Sequence, residues 1–161
     1  EADFRYNKEL GGGALLDCGG YPVRLAMELL GACADVVQAS LIQPLGYEVD
    51  LYGSAVLQNE NGVNVQIAFG MDNAYKCELE IWGSTATLLA PRIFTAGADY
   101  APELVVKTSS DEKKIQLETD DQFLHSIWRF AEKIENRTVT DNELILRQAQ
   151  LVAQIREKGQ K

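Results

Sequence analysis

The sequence predicts an α+β fold, an open-faced and mainly antiparallel sheet with helices packed on one face. Three observations predict it: a helical pattern near the start, a long run of β-rich segments in the middle, and two helical patterns at the end. Strand and helix do not alternate, and no internal repeat or linker interrupts the order. The 161 residues are 46% hydrophobic, enough to bury one core. We therefore expect residues 1–161 to form a single domain.

The first helix is predicted within Ala14 to Leu30, and Gly31 ends it. Pro22 lies inside this pattern, lacks an N–H and disfavours helical geometry at Tyr21. We expect the helix either to kink at this point or to restart with Pro22 in its first turn.

Five to seven strands are predicted after the first helix. In the segment 76–83 the alternation places Cys77, Leu79 and Ile81 on one face and Trp82 with charged residues on the other, as in an antiparallel sheet with one face packed on helices. Turns are expected at Asn61-Gly62 and at Gly83-Ser84. The β-rich segments are 35–44, 48–58, 62–70, 76–84, 86–94, 103–109 and 114–119.

Two amphipathic helices are predicted at the end of the sequence, within 121–136 and 140–159. The letters "TDNE" at 140–143 resemble a capping box at the start of the second helix. In the first helix the apolar residues at helical spacing are Phe123, Ile127, Phe130, Ala131 and Ile134.

Composition excludes several classes of function. A net charge of −9 argues against a nucleic-acid partner. No apolar run is long enough to cross a membrane and the first residues are charged, so a cytoplasmic protein is expected. Cys18, Cys33 and Cys77 lack CxxC spacing, which indicates neither a disulfide framework nor a zinc site. His125 is the only histidine, and no metal ligand set is predicted around it.

The stretch "GGGALLDCGGYPVRLAMELLG" carries the candidate chemistry. Its glycines, Gly11 to Gly13, lack the GxGxxG spacing of a phosphate-binding loop, and a tight turn is the favoured interpretation. Asp17 and Tyr21 are four residues apart, a spacing that shares one helical face, and Arg24 joins it. A carboxylate is costly to bury unless it is hydrogen-bonded. Spacing alone leaves open whether Asp17 and Tyr21 are functional or are a local salt bridge and an ordinary core tyrosine.

The sequence "ELGGGALLDCGGYPVRLAMELLG" resembles the signature that opens the C-terminal domain of the glucose-fructose oxidoreductase, inositol dehydrogenase and MocA (Gfo/Idh/MocA) family. The later "FGMDNAYKCELEIWGSTATLLAPRIFTA" is similar to the branch that acts as NDP-sugar 3-ketoreductases. The resemblance implies that Tyr21 is the acid/base of hydride transfer and that Asp17 orients the substrate or Tyr21. It also implies an oxidoreductase that uses NAD or NADP, and dimerisation through the open sheet face.

The resemblance further implies a Rossmann half, with a Glu-Lys-Pro lysine that favours the tyrosinate, which this sequence lacks. We therefore expect a fragment that binds no dinucleotide and is inactive alone. Arg24 stands where many His-type relatives carry aspartate, and its positive charge suits either a phosphate-bearing substrate or a structural salt bridge. Arg5, Tyr75, Arg92 and Phe94 are the other candidates for contact with a sugar nucleotide.

Two alternatives stay open at this point. One is an inositol or dihydrodiol-type dehydrogenase, which would differ in substrate and share the site. The other is a binding or scaffolding module that kept the fold without the chemistry, against which the presence of both Asp17 and Tyr21 argues.

Overall fold

The computed structural model describes residues 3–31, 33–138 and 142–160. Contacts divide the chain into two compact units, Glu1–Asn73 with Asp141–Lys161, and Ala74–Thr140. After a 3-10 turn at Phe4–Tyr6, the elements in chain order are α1 (Ala14–Asp17), α2 (Gly20–Leu30), β1 (Asp35–Ile42), β2 (Tyr52–Gln58), β3 (Asn64–Gly70), β4 (Leu79–Trp82), β5 (Ala86–Ala90), β6 (Glu103–Thr108), β7 (Glu112–Gln116), α3 (Gln122–Glu135) and α4 (Asn142–Gly159).

The predicted first helix is two helices separated by a turn at Cys18 and Gly19. Pro22 is the third residue of α2, inside the first turn, where a missing N–H leaves no helical hydrogen bond unmade. The restart expected from Pro22 is therefore confirmed. It follows that Asp17 ends one helix and Tyr21 is the second residue of the next, so the two do not share one uninterrupted helical face.

The first unit contains a three-stranded antiparallel sheet in the order β1-β2-β3. The predicted turn at Asn61-Gly62 joins β2 to β3, and Gly62 has a φ of 80°, a conformation that favours glycine. Helices α2 and α4 pack against this sheet. The largest fully buried side chains of this core are Leu15, Val23, Leu57, Leu151 and Ile155.

The middle of the other face of the three-stranded sheet carries no charged side chain, and the large apolar side chains of Ile42 and Tyr52 lie at one end of that face. Cross-strand partners share a face: Val56 pairs with Gln38 on β1 and with Gln66 on β3, and Ser54 pairs with Ser40 on β1 and with Ala68 on β3. Apart from the half-buried Val56, these side chains are exposed. We call these six residues the open face.

The second unit contains a four-stranded antiparallel sheet in the order β4-β5-β6-β7. Trp82 pairs with Thr87, which pairs with Lys107, which pairs with Glu112, so all four lie on one face. Trp82 is 80% exposed. The prediction that the polar face of this segment carries Trp82 is confirmed, although the strands form two sheets.

Helix α3 forms where its periodicity predicts it, and Asp121 caps it by accepting a hydrogen bond from the Leu124 N–H at 3.0 Å. Its apolar stripe is nevertheless exposed within the described part of the chain, by 62% to 65% at Phe123, Ile127, Phe130 and Ile134. Periodicity predicts which side of a helix is apolar and is silent on what covers that side.

Helix α4 confirms the second predicted C-terminal helix, while its expected capping box includes residues outside the described ranges. No described helix is long and apolar enough to cross a membrane.

Candidate functional site

The glycine run folds as a close backbone crossing. The N–H groups of Gly11, Gly12 and Gly13 donate to the carbonyls of Lys8, Asn7 and Arg5, at 3.2, 2.9 and 2.9 Å. A Cβ at Gly12 would collide with the Arg5 and Asn7 carbonyl oxygens. Because each of the three N–H groups already has an acceptor, the run is a tight turn and offers no phosphate cradle.

The N-terminus of α1 is capped from a distant loop. Asp50, which precedes β2, accepts from the Ala14 N–H through its carbonyl and from the Leu15 N–H through Oδ2, both at 2.8 Å. Gly13 has a φ of 112°, and a Cβ there would lie 2.5 Å from an Asp50 carboxylate oxygen. Only glycine therefore lets Asp50 approach, and this contact holds the helix that carries Asp17.

Asp17 lies beside Arg5, one of the predicted substrate contacts. The Arg5 Nε donates to Asp17 Oδ1 at 3.1 Å, and Nη1 lies 3.0 Å from Asp3 Oδ2. Hydrogen bonds to Asp17 and then to Asp3 raise the pKa of the Arg5 guanidinium. The Arg5 backbone N–H, followed by its side chain, lowers the pKa of Asp3. Asp17 is thus an oriented carboxylate, and Arg5 is already engaged by two acidic groups.

Tyr21 faces away from the core. Val23, Ala26 and Met27, on the opposite side of α2, are buried, whereas the Tyr21 side chain is 50% exposed. A core tyrosine would have its ring covered, so the interpretation of Tyr21 as an ordinary core residue fails. Tyr21 thus lies on the outward side of α2 with half of its surface exposed.

Arg24 shares the outward side of α2 with Tyr21. Its guanidinium forms an i,i+4 ion pair with Glu28, with an Nη2 to Oε1 distance of 2.6 Å. The positive charge predicted to suit a phosphate is therefore neutralised locally.

Cys18 lies in the turn between the two helices. Burial, and then the negative charge of Asp17, raise the pKa of its thiol. Its Sγ contacts the Ala14 carbonyl oxygen at 3.2 Å.

The second unit brings two other predicted residues together. The Arg92 guanidinium carbon lies 5.5 Å from the ring centroids of both Tyr75 and Tyr100. Both distances are within the range of cation–π contact. Phe94 follows with a φ of 57°, unusual for a residue with a side chain. We call Tyr75, Arg92 and Tyr100 the aromatic clamp.

Sequence reasoning missed three residues that shape these groups: Asp3, Asp50 and Tyr100. For Asp50 the sequence offered one indication, because the first backbone N–H groups of a short helix that follows a glycine run need acceptors from elsewhere in the chain. Nothing in the local sequence links Arg92 to Tyr100 or Arg5 to Asp3 in preference to other partners. The structure thus places Arg5, Asp17, Tyr21 and Arg24 in the first unit and Tyr75, Arg92 and Phe94 in the second.

Comparison with known proteins provides independent evidence on the family to which this chain belongs. A curated relative from Actinomadura kijaniata, a dTDP-3,4-didehydro-2,6-dideoxy-alpha-D-glucose 3-reductase, is 38% identical over 158 residues, covering 97% of this chain and 48% of the relative. A reductase of the same name from Saccharopolyspora spinosa is 33% identical over 163 residues, covering 96% of this chain and 49% of that protein. The chain spans about half the length of the curated relatives it matches.

Solved structures match in the same way. A crystal structure of a 3-ketoreductase from Actinomadura kijaniata, in complex with NADP and TDP-benzene, superposes with a TM-score of 0.94 at 38% identity, covering 98% of this chain and 49% of that one. An NAD-binding protein from Listeria innocua, at 24% identity and a TM-score of 0.73, supports the fold alone. The similarity to NDP-sugar 3-ketoreductases expected from the sequence is confirmed.

The family itself follows from a match over more than half of the chain. The GFO/IDH/MocA C-terminal domain matches residues 1–89, which include the glycine run and helices α1 and α2. The α+β fold with antiparallel sheets agrees with this assignment. The chain belongs to the Gfo/Idh/MocA oxidoreductase family, as a C-terminal domain of that family.

Proposed function

We propose that this chain is the substrate-binding half of a cytoplasmic, NADP-dependent reductase that converts the 3-keto group of a dTDP-linked deoxysugar to a hydroxyl. The two curated relatives described above carry this activity, and the related crystal structure contains NADP and a TDP compound. The free thiols Cys18, Cys33 and Cys77 suit a reducing compartment. The observation that carries the proposal is the outward, half-exposed Tyr21 side chain close in sequence to an oriented Asp17 carboxylate.

Two features of the described residues argue against a dinucleotide site of the Rossmann type. Both sheets are antiparallel, and the amides of the glycine run have carbonyl acceptors. We therefore place the cofactor on a part of the enzyme other than this chain. Calorimetry with NADPH tests this placement, and micromolar binding to the 161-residue chain would contradict it.

Reduction of a ketone requires a hydride, which NADPH supplies when bound, and a proton. Tyr21 donates its phenolic proton to the carbonyl oxygen as the oxygen becomes an alcohol. In the reverse direction the deprotonated Tyr21 accepts the proton of the sugar hydroxyl.

Asp17 acts beside this step as a positioning group. Arg5 holds its carboxylate by a 3.1 Å hydrogen bond, and Asp50 fixes the helix on which it lies. A fixed carboxylate accepts hydrogen bonds from sugar hydroxyls in one orientation, which contributes to catalysis through alignment of the substrate.

The test is Tyr21→Phe in the full-length enzyme. Loss of a general acid lowers turnover by roughly two to four orders of magnitude, and the loss of one atom from a half-exposed side chain should change the free energy of unfolding little. Tyr52→Phe is the matched control, because Tyr52 is another exposed tyrosine of the same unit. Near wild-type kcat for Tyr21→Phe would refute the assignment, and so would a loss of several kcal/mol of stability.

We also propose that the open face, defined above, contacts a second copy of the chain. A net charge of −9 makes two copies repel each other at most surfaces, and the open face has no charged side chain among its six residues. Ser54→Arg, at the centre of this face, should shift the protein toward monomer in light scattering, whereas Ser84→Arg, in an exposed turn, should not. A wild-type monomer at tens of micromolar, roughly the range for modest interfaces, would contradict the proposal.

A further inference from the structure

Arg92 differs from the other predicted arginine contacts in having no counter-ion. Arg5 is paired with Asp3 and Asp17, and Arg24 with Glu28. Arg92 forms no ion pair with any described residue, and its Nε is buried without a hydrogen-bond acceptor among them. A buried donor that lacks an acceptor is costly to a fold, which makes this nitrogen a feature that needs an explanation.

The aromatic clamp fixes how the guanidinium can be used. Tyr75 and Tyr100 interact with it as π systems, and a ring face accepts no conventional in-plane hydrogen bond from an N–H. A guanidinium donates its hydrogen bonds within its own plane, in a fork that matches two oxygens of a phosphate or carboxylate. The clamp thus positions a cation whose Nε–H has no acceptor among the described residues.

We propose that Arg92, positioned by Tyr75 and Tyr100, binds the diphosphate of the nucleotide-linked sugar. The choice of diphosphate rests on the proposed function, because the dTDP-linked substrate of such a reductase carries two phosphates. The site itself rests on the unpaired, clamped guanidinium. In a chain with a net charge of −9, an anion binds where a cation is left without an acidic neighbour.

Tyr75 and Tyr100 hold the Arg92 side chain from two different segments of the chain. Tyr75 precedes β4 and Tyr100 precedes β6, so residues distant in sequence hold one side chain. Arginine loses side-chain entropy when a ligand fixes it, and a clamp that orders the side chain beforehand reduces that loss. Replacement of either ring by leucine should therefore weaken diphosphate binding severalfold while the charge stays in place.

The first measurement uses the intact protein with [15N]arginine and follows the Nε–H resonances by NMR. Pyrophosphate and dTDP should shift the Arg92 resonance, thymidine should not, and the Arg24 resonance should stay in place. An Arg92 resonance that does not move when dTDP binds would overturn the proposal without the use of any variant.

The second measurement compares affinities for dTDP by calorimetry. Arg92→Met should weaken binding by about ten- to a hundredfold, the value of a charge-assisted hydrogen bond, and Arg92→Lys should recover only part of it because lysine lacks the planar fork. Arg129→Met removes an equal charge from an exposed position on α3 and should bind as wild type. Wild-type affinity in Arg92→Met, or equal losses in both methionine variants, would refute the site.

Competition distinguishes the source of the phosphate. Addition of NADP+ should leave the chemical shift change that dTDP produces at Arg92 unaltered. If NADP+ reversed that change, the aromatic clamp would bind the phosphates of the cofactor, and the proposal would be overturned. A protein that binds dTDP through Arg92 while its full-length form reduces no dTDP-linked sugar would refute the proposed function and leave this inference standing.

Discussion

Removal of the Asp50 carboxylate tests the support of α1 directly. In Asp50→Ala the Ala14 N–H keeps its partner, since that acceptor is the backbone carbonyl of residue 50, and the Leu15 N–H loses Oδ2 at 2.8 Å. Leu15 is 1% exposed, so water replaces the lost acceptor poorly. The variant isolates one hydrogen bond at one helix terminus.

The magnitude follows from that single bond. Loss of a side-chain cap costs about 0.5–2 kcal/mol, and a buried amide left unpaired costs about 1–3 kcal/mol. These ranges describe the same interaction and are not added, so we expect about 1–2 kcal/mol. For a chain of this size, that corresponds to a fall of about 2–8 °C in Tm.

Urea unfolding monitored by circular dichroism measures the loss. Asp50→Asn should restore most of it, because the amide oxygen is also a good acceptor at helix N-termini. Asp72→Ala, an exposed aspartate of the same unit, is the control and should stay within about 0.5 kcal/mol of wild type. An Asp50→Ala variant as stable as Asp72→Ala would refute the capping role.

Two further predictions concern packing and charge. Leu151→Ala, at a fully buried position on α4, should lower the free energy of unfolding by about 2–5 kcal/mol. Ile127→Asp, on the exposed stripe of α3, should change it by less than about 1 kcal/mol. Chemical denaturation compares the two variants, and equal losses would mean that the stripe is covered. A hydrogen bond from Arg147 lowers the pKa of Asp35, so this pair stabilises the fold above the ordinary aspartate pKa and its contribution is lost as pH falls through the lowered value. Asp35→Asn should flatten that acid limb of the stability profile by less than about 1 kcal/mol, because the Asp35 carboxylate is exposed, and an unchanged limb would argue against the pair.

Local patterns predicted the elements of this fold well. The Asn61-Gly62 turn, the alternation that exposes Trp82 and the effect of Pro22 each depend on neighbouring residues, and each is found in the structure. The division of the strands into two sheets depends on pairing between distant segments, which periodicity does not encode. The exposed stripe of α3 is a second feature that periodicity does not predict, because the pattern shows which face of the helix is apolar and not what packs against it.

The candidate site divides in the same way. Asp17 and Tyr21 were found from their spacing and from the resemblance to a family, although the helical continuity assumed between them is interrupted at Cys18 and Gly19. Arg24 was predicted to suit a phosphate because of its charge and Arg5 to contact a sugar nucleotide, and the structure pairs both with carboxylates. Sequence gives the sign of a side chain, while its availability depends on tertiary neighbours.

The capping of α1 by Asp50 has a consequence for protein engineering. The segment from Arg5 to Asp17 and the loop that precedes β2 are separated in sequence but joined by the Asp50 contacts with Ala14 and Leu15. A chimera that transplants the first segment into a relative without the matching loop would import a helix with no cap and a glycine shaped for a missing carboxylate. Chimeras that aim to change substrate specificity in this family should therefore exchange these two segments together.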